Sequence, residues 1–575
     1  MKRLLVLIAA FLAAFSLGAA PVSEQRARKV ASDFFAGADD WERLPDAPEG
    51  CYVFNRKSGG FVIVSADDCA LPVLGYSHSG RFTLKGAPDN LRAWTDATAK
   101  VIRAEAAKGR VPGSALKAVW EAPALLSRAG VAERLINTAT WGQNAPFNYY
   151  TPTVDGAKSI AGCVAVAMAI IMRHYRWPAA GNGVLPNYTY TSEKGTRITQ
   201  SGHALGHSYD WDDMPLNHVG EDNRSVAQLI YDCGIAVESA YNEDGTSAYA
   251  NDAPAKMALH FSYSMSAILE QRSYFSTSAW MARLKAEIDA DRPVLYSAFS
   301  EAKFGHAFVV DGYDAAFNLH VNWGWQGSCN GYFALDCFYP YEGSVPSKEK
   351  EHGYYYRHGA VFDLVPDKTG TSRPRALLCM RSSGDMQGLR LVSGNIAKGS
   401  TFRLEFGLCT NRGLYDYSGG ALRVGLLDRN GNLKGFVGNA ESVPLLEPNY
   451  GAKIRDYIAT LSTEPVLGDV LRVFYLDGSD WVLMPYGLDD GTVGYLNAGP
   501  DICFIQKEAA YYAGQKLQPS LILGNKAALS VRWSLDGVTF EEATPPLTSG
   551  THRLKAVLTY EDGSSETILQ EITVP

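Results

Sequence analysis

The sequence predicts a chain of several folded pieces, α+β over its first two-thirds and built from β-sandwich modules at its C-terminal end. Three observations predict this. At 575 residues the chain exceeds what a single hydrophobic core supports, domains running to about 150 residues each. A strongly apolar segment that starts at Cys163 reads as a buried helix, set among stretches of strand pattern. Beyond Lys368 short strands alternate with Gly, Asn and Asp turns, as at 422–427 followed by Asp428-Arg-Asn-Gly-Asn.

Residues 1–20 read as a signal peptide. Lys2 and Arg3 precede an apolar run from Leu4 to Leu17, and Gly18, Ala19 and Ala20 follow it. The run is shorter than the roughly 20 residues a membrane-spanning helix needs, and no later stretch reaches that length, so the expectation is export with no membrane span. A small α+β unit follows at 21–134. Ser23 as N-cap, then Ala27, Val30, Ala31, Phe34 and Phe35, makes an amphipathic helix. Segments 51–54 and 61–64, joined across Ser-Gly-Gly, make a hairpin. Segment 91–107 is helical and stops at Gly109; from 111 to 134 the chain reads as a linker with Pro112, Gly113 and Pro123. Residues 135–367 combine aromatic-rich loops, the Cys163 helix and strands at 307–310 and 318–322. One β-sandwich module is expected at 368–500 and a smaller, Ig-like one at 501–575, with no tandem repeat.

Composition excludes several function classes. Hydrophobic residues at 46% and charged residues at 20% are values of a globular chain, well away from the charge-rich composition of disorder. A net charge of -8 and the lack of any Lys/Arg-dense run leave no footprint for nucleic acid. The nine cysteines (51, 69, 163, 233, 329, 337, 379, 409 and 503) include no CxxC pair, so neither a zinc ribbon nor a thioredoxin-type couple is indicated. Their odd number leaves at least one thiol.

Cys163 is the cysteine whose context carries chemistry. It opens a segment free of Pro and Gly until Pro178, and a thiol in the first turn of a helix sees the positive end of the dipole, which favours thiolate. A cysteine nucleophile needs a base that takes its proton and later returns one to the leaving amine. His306 fits, heading the apolar strand pattern of Gly305-His-Ala-Phe-Val-Val-Asp-Gly312 and standing 143 positions after Cys163, within the about 130–150 separation of papain-type enzymes. Asn322, sixteen positions further in His320-Val-Asn-Trp-Gly-Trp325, is placed to orient the imidazole. Trp323 beside it is the candidate for shielding that bond on the substrate-binding side, whereas packing alone accounts for Trp325. An oxyanion needs aimed donors; the Cys163 N–H is one, and the side-chain amide of Gln143 in Thr140-Trp-Gly-Gln143 is the candidate for the second, by analogy with papain.

These motifs resemble the streptopain-like cysteine peptidases, papain-fold enzymes of secreted bacterial zymogens. The resemblance rests on Gly-Cys-Val-Ala at 162–165 with its helix through His174 and Tyr175, on 305–312, and on 320–325. It implies a papain-like domain at 135–367, Cys163 as nucleophile, His306 as base, and contacts to the substrate backbone from Gly305 and from Ser247 in Asp244-Gly-Thr-Ser-Ala248. It also implies that 21–134 is an inhibitory propeptide, with Gly59-Gly-Phe-Val-Ile-Val-Ser-Ala-Asp-Asp68 and Leu74-Gly-Tyr76 as its matching motifs, and that protein or peptide substrates carry a bulky apolar residue just before the scissile one. No metal or cofactor is required. The chain departs from the family at Ser-Ile-Ala-Gly-Cys, where members often have Ala-Thr-Gly-Cys, and in its C-terminal extension.

Rival readings have less behind them. The nearest approach to G-x-S-x-G, Gly75-Tyr-Ser-His-Ser79, fails at its last position, and no H-E-x-x-H, P-loop or Rossmann fingerprint occurs. A noncatalytic scaffold acting as a surface adhesin is the main alternative, against which stands the retention of Cys163, His306 and Asn322 together.

Overall fold

The computed structural model describes residues 20–85, 87, 89–107, 114–123, 132–275, 277–299, 305–314, 316, 318–334, 356–382, 384, 388–428, 430–466, 468–487, 492–498, 504–505, 511–522, 528–541, 543–560 and 565–574. The signal-peptide reading of 1–19, the Gly109 stop, Pro112, Gly113, Cys337 and Cys503 lie outside the described residues. The chain divides into two compact units, Met1–Leu135 with Ala298–His306 and Val310–Tyr356, and Ile136–Ser297 with Ala307–Val309 and Arg357–Pro575.

In the first unit the helix Glu24–Phe34 begins where Ser23 Oγ accepts the Arg26 N–H at 3.2 Å, the expected cap. Its apolar stripe, Ala27, Val30, Ala31 and Phe34, is buried and packs on the hairpin Cys51–Arg56 and Phe61–Ser65. Cys51 lies opposite Ser65 in that hairpin and Asn55 opposite Phe61. Trp41–Arg43 pairs on its outer side and Val73–Ser77 on the other. Val73–Ser77 then pairs antiparallel with Gly331–Phe333, and that strand with Leu319–Asn322. The N-terminal segment thus adds strands to the sheet that contains Gly331–Phe333 and Leu319–Asn322.

Close approach at this junction requires glycine: a Cβ on Gly331 would stand 2.4 Å from the Tyr76 carbonyl oxygen. The Tyr76 ring stacks on Tyr332 with centroids 5.1 Å apart, and its hydroxyl donates to the buried Asp314 carboxylate at 2.9 Å. Burial holds the Asp314 carboxyl above its ordinary range against the opposing pull of its Asn318, Tyr76 and Ala316 donors.

The linker expected at 111–134 is in fact partly structured. Ser114–Glu121 is a helix with Leu116, Val119 and Trp120 buried, an i, i+3, i+4 stripe too short to stand out in the sequence. Trp120 Nε1 donates to the Ala70 carbonyl at 2.9 Å. Ala132–Leu135 is a strand antiparallel to the end of Gly305–Asp314, with Leu135 opposite Gly312.

In the second unit the helix Cys163–Tyr175 buries every residue from Val164 to Met172 and packs on Arg224–Ala236 and Ala253–Phe261. Helices that are apolar all round belong in the middle of a core, and Trp141, Ile230, Met257 and Phe261 surround this one. Asp232 is fully buried in the middle of the second helix. Its carboxylate meets His203 Nε2 and Gln228 Nε2 at 2.8 Å on one oxygen, and His207 Nε2 at 2.8 Å and the Tyr209 hydroxyl at 2.7 Å on the other. One carboxylate therefore ties the 203–209 loop to the helix layer.

The C-terminal region is β-rich. Short antiparallel sheets, among them Leu433–Ser442, Ala421–Leu427, Val470–Asp477 and Asp480–Leu483 in that order, enclose a core of Phe402, Leu422, Tyr457 and Val473. A separate four-stranded antiparallel sheet, Val538–Phe540, Ala528–Leu535, Gly550–Tyr560 and Ser565–Val574, has its own core of Leu535, Leu554, Leu558, Ile568 and Ile572. The α+β class with a β-rich C-terminal region is as the sequence predicts.

Replacing Asp232 with Asn puts an N–H₂ among groups that donate. Asp232→Asn is expected to lower unfolding stability by about 3 kcal/mol, read as a fall in the urea midpoint at unchanged slope.

Candidate active site

Cys163 begins its helix without a side-chain cap, because the residue before it is Gly162 at φ 93°, a conformation that glycine adopts without strain. A Cβ at 162 would stand 2.8 Å from Thr246 Cγ2. The two residues ahead are fixed as well: the Ala161 N–H donates to the Gln143 carbonyl at 2.9 Å and the Ile160 N–H to the Asn242 carbonyl at 3.1 Å. The sequence signal for this was the glycine; the bracing by 242–246 carried none.

The Cys163 thiol is half-buried and receives the Ala307 N–H at 3.5 Å from Sγ. Burial pushes the thiol above its ordinary range, while the N–H groups of Ala307, Val164 and Cys163 pull the other way, the last two being the exposed donors of a helix start. Ala307 is the chain neighbour of His306, so the strand Gly305–Asp314 brings the segment that the spacing singled out to Cys163.

His306 is largely withdrawn from water. Burial, and after it the cation of Arg92 on the helix Asp89–Ala107, lowers its imidazole to about 4. Its Nε2 is buried and has no hydrogen-bond partner among the described residues. Asn322, itself buried, accepts the Gly324 N–H on Oδ1 at 3.2 Å. An orienting bond from Asn322 to His306 Nε2 is therefore not made in this form.

The other sequence candidates fall as follows. Gln143 is buried, and its backbone joins it to Ala161 just ahead of Cys163. Trp323 is fully buried, edge-on to Phe333 at 5.2 Å, so packing is its visible role. Gly305 is exposed at the start of its strand. Ser247 is exposed, but its N–H and carbonyl both pair with Ala240, at 3.1 and 2.8 Å, which leaves its hydroxyl as the group open to a ligand. An acceptor thiol at a helix start, a half-buried imidazole and a buried amide are kinds of group that nucleophilic acyl transfer uses.

Residues 141–333 match the peptidase C10 family. Residues 19–102, ahead of that stretch, match the Spi protease inhibitor family. The chain is similar to the thiol protease/hemagglutinin PrtT of Porphyromonas gingivalis, 30% identical over 375 residues that cover 61% of this chain and 42% of that protein. It therefore spans less than half of that relative. It is also similar to streptopain of Streptococcus pyogenes, 29% identical over 309 residues, covering 50% of this chain and 74% of the relative. Among solved structures, a prointerpain A fragment of Prevotella intermedia is 26% identical, covers 57% of this chain and 99% of that one, and gives a TM-score of 0.45.

In this structure burial raises the Cys163 thiol and, with the Arg92 cation, lowers the His306 imidazole, so each favours its uncharged form. Alkylation of Cys163 by iodoacetamide in the unprocessed chain is expected to climb only above pH about 8.5, the ordinary thiol value. After removal of the propeptide, a reactive shoulder should extend into the acid range as the thiolate–imidazolium pair forms. A single profile shared by both forms would contradict this.

Proposed function

We propose that this chain is an exported cysteine endopeptidase made as a zymogen, in which Cys163 is the nucleophile and His306 the general base. The observation that carries the reading is the Ala307 N–H on Cys163 Sγ at the start of a buried helix, within a C10 domain. The Cys163 thiol gives its proton to His306 and sulfur attacks the peptide carbonyl. The resulting oxyanion is held by the Cys163 N–H and the Gln143 amide. Collapse breaks the C–N bond as His306 returns the proton to the departing amine, leaving an acyl-enzyme. His306 then takes a proton from water, whose oxygen attacks the thioester, and the thiol is regenerated. Asn322 orients the imidazole once the domain is freed of its propeptide, Trp323 walls that bond from water, and Gly305 and the Ser247 hydroxyl contact the substrate.

The organisation we propose with it is a signal peptide at 1–20, an inhibitory propeptide at 21–134, a papain-like domain at 135–367 and β modules at 368–500 and 501–575. Substrates are proteins or peptides, with a bulky apolar residue just before the scissile one; nucleic acid is no partner. Among the described residues no helix is long and apolar enough to cross a membrane.

Two measurements test the reading. Followed by mass spectrometry, the wild-type chain lacking residues 1–20 should convert to a shorter, casein-cleaving form, while Cys163→Ala stays intact and inert. Equal inertness of both would count against a self-processing peptidase. Gln143→Ala should lower kcat by about 10²–10³ with KM little changed, the loss seen when one oxyanion donor goes.

A further inference from the structure

The mechanism above leaves unused a buried hydroxyl that lies against the turn into Cys163. Thr246 is 7% exposed and sits in the segment 240–247, closed on itself by the paired backbones of Ala240 and Ser247. Its Oγ1 donates to the Ile160 carbonyl at 2.7 Å and accepts the Asn242 N–H at 3.0 Å. Asn242 in turn accepts the Ile160 N–H on its carbonyl at 3.1 Å. Both backbone polar groups of Ile160 are thus held by 242 and 246. The methyl of the same side chain is the atom that a Cβ on Gly162 would meet at 2.8 Å. One threonine therefore touches the chain on both sides of Ala161, and the Gly162 carbonyl accepts the Val166 N–H at 3.1 Å, the bond that starts the nucleophile's helix.

We propose that Thr246 is a positioning residue for the peptidase reaction, its hydroxyl fixing 160–162 so that Cys163 Sγ and the Cys163 N–H keep their places relative to each other. The proposal rests on the reading of Cys163 as nucleophile. Two groups of one residue must be placed at once, the sulfur that attacks and the N–H that receives the oxyanion, and the peptide plane shared by Gly162 and Cys163 sets the direction of that N–H. Small rotation of this plane is costly, since a 1 Å misplacement of a reacting group takes about a hundredfold from the rate. The consecutive Ser247 is the residue whose hydroxyl remains open to substrate, so 246 and 247 join nucleophile geometry to substrate contact in a single turn.

The test separates hydroxyl from methyl. Thr246→Val keeps the shape and loses the hydroxyl; Thr246→Ser keeps the hydroxyl and loses the methyl. Processed enzymes are titrated with iodoacetamide so that rates refer to labelled Cys163, and kcat and KM are measured on one peptide. Thr246→Val is expected to lose about ten- to a hundredfold in kcat per titrated site with KM within about twofold, and Thr246→Ser to stay within about threefold of wild type. A purely structural role would reduce the melting temperature and the titratable fraction but leave kcat per site unchanged, and that result for Thr246→Val overturns the proposal. If Thr246→Val does not fold, a folded Thr246→Ser that has lost tenfold or more in kcat overturns the role of the hydroxyl. A wild-type enzyme that neither cleaves nor takes label at Cys163 defeats the nucleophile reading itself, and the proposal with it; active wild type beside an unaffected valine variant defeats the proposal alone.

Discussion

The Ala307 N–H on the Cys163 sulfur joins the start of the strand Gly305–Asp314 to the head of the helix Cys163–Tyr175, and the surrounding structure is arranged to make that contact. A reactive group at the head of a helix must be reachable, yet the helix behind it is buried at every position from Val164 to Met172. Gly162 resolves the conflict by turning the chain at a positive φ, so the polypeptide arrives at the nucleophile from one side and leaves into the core on the other. No side chain caps the helix, and the backbone donors of its first turn stay available for charge.

Charge at this centre depends on what covers it. A thiol raised by burial and an imidazole lowered by burial and by Arg92 both work against the ion pair that makes a cysteine nucleophilic. The inhibitor-type segment that supplies Arg92 is the same segment that extends the sheet through Val73–Ser77. On the function proposed above, latency would carry an electrostatic component, because a cation next to an imidazole disfavours its protonation.

Much of this was legible in the sequence, for identifiable reasons. The Cys163 helix stands out because nine consecutive positions after it want burial, and the hairpin at 51–65 because strand pattern flanks a glycine turn. The His306 strand is visible from its apolar run and from its spacing to Cys163. What escaped was contact across long separations. Trp120 belongs to a helix of eight residues, whose stripe is too brief to separate from a linker. Asp232 gathers donors from 203, 207, 209 and 228, none of which carries a local pattern. Thr246 looks like an ordinary loop residue until the fold sets it against Gly162. The pairing of Ser247 with Ala240 likewise depends on a bridge that no periodicity announces.

The strand Gly331–Phe333 is hydrogen-bonded on one side to Leu319–Asn322 and on the other to Val73–Ser77. Loss of the N-terminal segment strips that second side, turning an interior member of the sheet into an edge with unpaired N–H and carbonyl groups beside two aromatic rings, Tyr332 and Phe333. Exposed edges of this kind recruit extended chain from wherever it is available. On the function proposed above, maturation would thus create a sticky seam, to be covered by the protein's own chain, by a neighbour, or by the released fragment rebinding where it began.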